Sequence, residues 1–231
     1  MSSGNARALA ALADEIASCF KCPRLVAWRE QVAREKRASF ANEEYWGRPV
    51  PGFGDPAARL LVAGLAPAAH GGNRTGRVFT GDRSGDWLFA SMYRTGWANQ
   101  PHSVSKDDGL ELLGAYVGAA VRCAPPANKP TTAERDTCLP YLIKEMHLLT
   151  DLVVIVALGA YAWDAVLRAE ALEGRAIKPK PRFSHGAEAA LHGTTMIGSY
   201  HPSQQNTFTG VLTEDMLDAV FHRARKVADS G

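Results

Sequence analysis

Apolar residues at helical spacing open the chain. Leu9, Leu12, Ala13, Ile16 and Phe20 recur three or four positions apart and predict an amphipathic helix that runs into Cys19-Phe20-Lys21-Cys22-Pro23. A second helical stretch is predicted over 24–40, with Leu25, Trp28, Val32 and Phe40 inward and Arg29, Arg34, Lys36 and Arg37 outward as a basic face. After a loop over 42–55, the continuous apolar run within 59–65 reads as a strand buried on both faces. The glycine-rich segment 66–83 has no hydrophobic period and is read as a loop. Ser84 and Asp86 then open a helix through Trp87, Leu88, Met92 and Tyr93.

The alternation continues. A second strand is predicted over 116–121, followed by a proline-rich loop over 122–130. Thr131 and Glu134 form a capping box that starts a helix with Leu139, Leu142, Ile143, Met146 and Leu149 on one side and a kink expected at Pro140. Residues 152–158 form a third strand and 161–172 a helix, and 174–186 are a basic, proline-containing loop. A fourth strand at 194–199 leads to a last helix capped by Thr213, with Met216, Leu217, Val220 and Phe221 apolar. Four strands alternating with helices predict an α/β fold, a parallel sheet covered by helices on both faces, in a single domain over 1–231.

Composition narrows the class of protein. At 231 residues, with 46% hydrophobic and 22% charged, the chain is neither disordered, fibrous nor polytopic in a membrane. Its formal charge of +2 is too small to point to nucleic acid by itself. Residues 1–17 lack the features of a secretory signal and the apolar run 152–158 is too short to span a bilayer, so a cytoplasmic protein with no membrane partner is expected; it is also expected to be a monomer. In that compartment four cysteines do not imply disulfides.

In open parallel sheets ligands bind beyond the carboxyl ends of the strands. That rule brings together three loops. They hold His70, Asn73 and Phe79 in the first, Asn128 and Lys129 in the second, and His201, Gln204, Gln205 and Asn206 in the third. No Ser-His-Asp set, carboxylate pair or Walker-type glycine loop is among them. Amides, imidazoles and one aromatic suit a planar, neutral, hydrogen-bonding ligand such as a nucleobase. The thiols are a second constellation: Cys19 and Cys22 form C-x-x-C, whereas Cys123 and Cys138 are more widely spaced and distant in sequence. Four thiolates suit zinc or a [4Fe–4S] cluster, and free core cysteines are the structural alternative.

Three stretches carry a family likeness. GLAPAAHGGNRTGRVFTGD at 64–82, VRCAPPANKP at 121–130 and SYHPSQQN at 199–206 resemble, in order, the motifs of the family 5 (type b) uracil-DNA glycosylases. The resemblance implies an α/β/α fold with a central four-stranded parallel sheet. It implies removal of uracil and other deaminated bases, including hypoxanthine and modified cytosines, from double- and single-stranded DNA, with the base flipped out of the stack. It also implies a [4Fe–4S] cluster on Cys19, Cys22, Cys123 and Cys138. Asn128 matches the middle-motif asparagine and His201 the donor to uracil O2, with Asn73 a further catalytic candidate. Gly64, Ala66, His70, Phe79 and Asn206 are the base-binding candidates, Phe79 as a stacking platform.

Ala66 and Ala119 stand where other relatives carry polar side chains, which implies looser base choice. Lys178, Lys180 and Arg182 are read as a solvated loop or a phosphate contact. Two other classes stay open: a non-catalytic iron–sulfur protein that binds nucleic acid or senses redox state, and a zinc hydrolase of small nucleosides. A zinc deaminase is excluded, because H-x-E beside P-C-x-x-C is absent.

Overall fold

The computed structural model describes residues 2–230; Met1 and Gly231, the ends of the expected single domain, lie outside the described residues. Two helices come first, α1 (Ser2–Ala17) and α2 (Pro23–Glu35). Then follow β1 (Phe53–Gly54), β2 (Leu60–Gly64), α3 (Gly72–Thr75), α4 (Arg83–Arg94) and β3 (Ala115–Ala119). The second half holds α5 (Thr132–Leu148), β4 (Val154–Leu158), α6 (Ala160–Leu172), β5 (Glu188–Ala190), β6 (Thr195–Ser199), α7 (Gln204–Phe208) and α8 (Glu214–Ser230).

One sheet of order β1-β3-β2-β4-β6-β5 organises the fold. Its four inner strands are parallel, as expected, and alternate residues feed two cores. Leu60, Val62, Val117, Val154 and Val156 pack under α4 and α8 with Phe89 and Phe221. Leu61, Ala63, Tyr116, Ile155 and Ala157 pack under α5 and α6 with Leu142 and Trp163. A strand buried on both faces has no polar alternation, which is why these segments read as unbroken apolar runs. Burying each large side chain contributes ~1.5–3 kcal/mol.

Several expectations need correction. Two short antiparallel edge strands, β1 and β5, extend the four-stranded sheet, and neither is long enough to show a period of two. The helix expected over 24–40 ends at Glu35, because Lys36 turns to φ +55°, and only one 3₁₀ turn (Ala38–Phe40) follows. Arg29, expected on its basic face, is buried. The first-motif loop contains the short α3 and the last-motif loop contains α7. Asp82, not Ser84, caps α4, its side chain accepting from Gly85 N. The capping box of Thr131 and Glu134 is present, and α5 runs through Pro140 to Leu148. Among the described residues no helix is long and apolar enough to cross a membrane.

Candidate active site and thiol centre

A cavity of about 460 Å³ opens where the loops after β2, β3 and β6 meet, lined among others by Ala66, Phe79, Asp82, Asn128, His201 and Gln204. The parallel strands direct their carboxyl ends to one rim of the sheet, so motifs far apart in sequence meet there.

Phe79 sits at φ +52°, an uncommon conformation for a bulky residue that costs ~1–3 kcal/mol. Two glycines make room for it. A Cβ on Gly64 would lie 2.7 Å from the Phe79 ring, and one on Gly85 would lie 1.8 Å from the Phe79 carbonyl oxygen. The ring thus rests on the end of β2, buried, with its centroid 6.0 Å from that of His201 at an interplanar angle of 33°.

His201 follows β6 directly. Its carbonyl accepts from Ser203 N (2.8 Å) and from Asn206 Nδ2 (2.9 Å), while Ser203 caps α7 by accepting from Asn206 N. Burial pushes the imidazole down to about 4, so it is neutral near pH 7 and can donate from one nitrogen only. Asn206 therefore holds the backbone of His201 and does not itself line the cavity.

Asn128 lies in a turn where Ala127 and Asn128 are both left-handed, at φ +52° and +55°. Its N–H donates to the Pro125 carbonyl at 3.2 Å. Arg24 anchors the next residue, donating to the Lys129 carbonyl at 3.1 Å and pairing with Glu134 at 2.6 Å. The Asn128 side chain is exposed to the cavity and has no hydrogen-bond partner among the described residues.

Asp82 is the site residue that the motif reading passed over. Its Oδ1 accepts from Gly85 N at 3.1 Å, and a Cβ on Gly71 would lie 2.1 Å from its Oδ2, so Gly71 makes room for the carboxylate. Burial raises its pKa, outweighing the N–H groups of Gly85 and Ser84 that favour the charged form. The available signal was an aspartate immediately before a helix at the end of a glycine-rich loop, an N-cap pattern.

Of the remaining candidates, Gly64 lies under Phe79 and Ala66 lines the cavity. Asn73 does not reach it: the residue is fully buried and its Nδ2 donates to the Arg29 carbonyl at 3.1 Å. His70 also points elsewhere, its Nδ1 3.1 Å from the Tyr45 hydroxyl, with burial and the nearby Arg37 and Arg74 lowering its pKa. Ala119 is enclosed in the core under α4 and α8. Lys180 pairs with Asp164 at 2.7 Å on the surface.

The four cysteines converge on one side of the sheet. Cys19 and Cys22, between α1 and α2, face Cys123 from the loop after β3 and Cys138 from α5, among Leu25 and Tyr141. Burial raises the Cys123 thiol to about 12 and Cys138 to about 11, and raises Cys22. N–H donors meet two sulfurs: Arg29 Nη1 lies 3.0 Å from Cys123 Sγ, and Arg122 N lies 3.4 Å from Cys138 Sγ. Among the described residues no three His, Cys, Asp or Glu side chains are arranged around a single ion. Four converging thiols with N–H donors aimed at sulfur fit a thiolate-held metal group.

Residues 51–225 match the uracil DNA glycosylase superfamily. The chain is 54% identical over 230 residues to the type-5 uracil-DNA glycosylase of Mycobacterium leprae, covering 99% of each. It is 49% identical to the type-5 enzyme of Thermus thermophilus over 94% of this chain and 97% of that one. To the type-5 enzyme of Pyrobaculum aerophilum it is 45% identical, over 94% and 92%. Likeness of this extent, together with a cavity built from the three motifs, places the chain in the uracil DNA glycosylase superfamily, to which it belongs.

Proposed function

We propose that this chain hydrolyses the N-glycosidic bond of uracil and other deaminated bases in DNA, leaving an abasic site, in the cytoplasm and as a monomer. The observation that carries the reading is the pairing of a buried aromatic platform, Phe79, with a neutral imidazole, His201, in one cavity. A flipped base stacks on Phe79. As the glycosidic bond breaks, its electrons pass to the base, and His201 donates a hydrogen bond to the oxygen where negative charge grows. Such a preorganised donor contributes ~3–4 kcal/mol. Asn128 hydrogen-bonds the base edge, and Asp82 accepts from the attacking water and faces the positive charge that develops on the sugar.

The thiol centre is proposed to hold a [4Fe–4S] cluster on Cys19, Cys22, Cys123 and Cys138. Bound there, the cluster supplies a cross-link and no reacting atom, because all four ligands come from the chain. It ties the α1–α2 junction to the Asn128 loop and to α5.

Purified protein incubated with a uracil-containing duplex is expected to produce alkali-labile abasic sites. Intact strands after such treatment overturn the reading. Iron and sulfide analysis tests the cluster separately: a colourless chain with one zinc excludes it.

A further inference from the structure

Arg29 is a buried cation with no buried anion. It is 1% exposed, and its Nη1 donates both to Cys123 Sγ (3.0 Å) and to the Cys19 carbonyl (3.1 Å). Among the described residues the only carboxylate within reach is Glu30, 4.0 Å away and open to solvent. Its Nε is buried without a partner, and its guanidinium lies over the Phe20 ring, 4.9 Å from the centroid. Other buried arginines are paired: Arg122 meets Glu145 at 2.5 Å, both 1% exposed, and is neutralised there. A guanidinium cannot shed its proton, so burying it without a counter-charge is strongly unfavourable. Protonated thiols do not supply that charge. Four thiolates around an iron–sulfur core do, since the assembly is a net anion.

We infer that Arg29 is the buried counter-charge and hydrogen-bond donor of the cluster site, and the residue through which that site holds the first-motif loop. The inference rests on the cluster reading above. The second half of it follows from Asn73, whose Nδ2 grips the Arg29 carbonyl from α3. Any displacement of α2 at Arg29 is thereby passed to the loop that carries Phe79 and Asp82. Arg29 is a positioning residue and does not reach the base.

The test uses the full chain. Arg29→Met and Arg29→Gln remove the charge, and Arg29→Lys keeps it on a shorter, non-planar head. Two quantities are read: the rate at which an iron chelator bleaches the visible band, and the midpoint potential in a titration with dithionite. Both neutral variants are expected to bleach ~10–100-fold faster than wild type. Their midpoint shifts to more negative potential, because loss of a nearby cation disfavours the added electron. A residue that only packs would lower thermal stability and leave the midpoint in place. Neutral variants with wild-type bleaching and midpoint overturn the inference. Where neutral variants do not accumulate, Arg29→Lys decides: the retained charge holds the midpoint near that of wild type, while loss of the planar head between Cys123 and Cys19 speeds bleaching, and a Lys variant that bleaches at the wild-type rate or whose midpoint falls overturns the inference. Wild-type protein without iron overturns the cluster reading and the role of Arg29 with it. Wild-type protein with four irons whose variants are unchanged overturns the role of Arg29 alone.

Discussion

Gly64 ends β2 where the edge of the Phe79 ring occupies the space a side chain would need, 2.7 Å from the position of its Cβ. The proposed stacking platform is thus set directly on the sheet, and the absence of one methyl group leaves room for it there. Gly64→Ala is expected to push the ring toward the cavity, with a stability cost of ~1–3 kcal/mol. The larger effect is on chemistry: single-turnover excision of uracil slows more than DNA affinity weakens. A Gly64→Ala enzyme with wild-type single-turnover rate contradicts this placement.

His201 and Asn128 are expected to carry rate. Replacing either with alanine should slow single-turnover excision by ~10²–10³-fold, because each removes one preorganised hydrogen bond that strengthens as charge develops. Affinity for a uracil-containing duplex, measured separately, stays within a few-fold, since phosphate contacts dominate it.

Asp82 supplies the test that the sequence motifs left open. Asp82→Asn keeps the shape but removes the charge proposed to face the sugar, and a loss comparable to that of His201→Ala is expected in the same assay. Because burial raises the carboxyl pKa, the acid limb of the wild-type rate profile should lie above the ordinary carboxylate range. The Asn variant loses that limb.

Stability has its own pH dependence through His201. The ring takes up a proton near 6.5 when unfolded and only at about 4 when folded, so unfolding binds a proton between these values. Its contribution to stability is complete above about 6.5 and is lost as pH falls toward about 4. A His201→Asn variant should therefore lose less melting temperature than wild type between pH 7 and pH 4.

Base choice is expected to be broad. Ala66 presents only a methyl group to the cavity, and a site without a rigid side-chain amide there rejects a wrong base less sharply. Hypoxanthine should be released as well as uracil, and Ala66→Asn should narrow the range. Strict uracil selectivity of the wild-type enzyme across a panel of deaminated bases contradicts this.

Much of this was legible along the chain. Strands buried on both faces must be continuously apolar, so β2, β3, β4 and β6 stood out, and their parallel order predicted which loops converge. The capping box at Thr131 and the C-x-x-C pair Cys19 and Cys22 are likewise local in sequence. What the tertiary structure alone decided is where polar side chains in those loops point. Arg29 looks like one more member of a solvated basic face, because helical period does not register a sulfur 94 residues away that draws it inside. Asn73 sits within a motif whose neighbours reach the cavity, yet a backbone carbonyl of α2 claims its amide. Asp82 reads as a helix cap until the fold places it in the lining of the cavity that Phe79 and His201 also line. The edge strands β1 and β5 are too short for any pattern and exist only because a neighbouring strand offers unpaired backbone groups. Apolar patterning specifies which residues leave water, and the partners of each buried polar group are set by contacts distant in sequence.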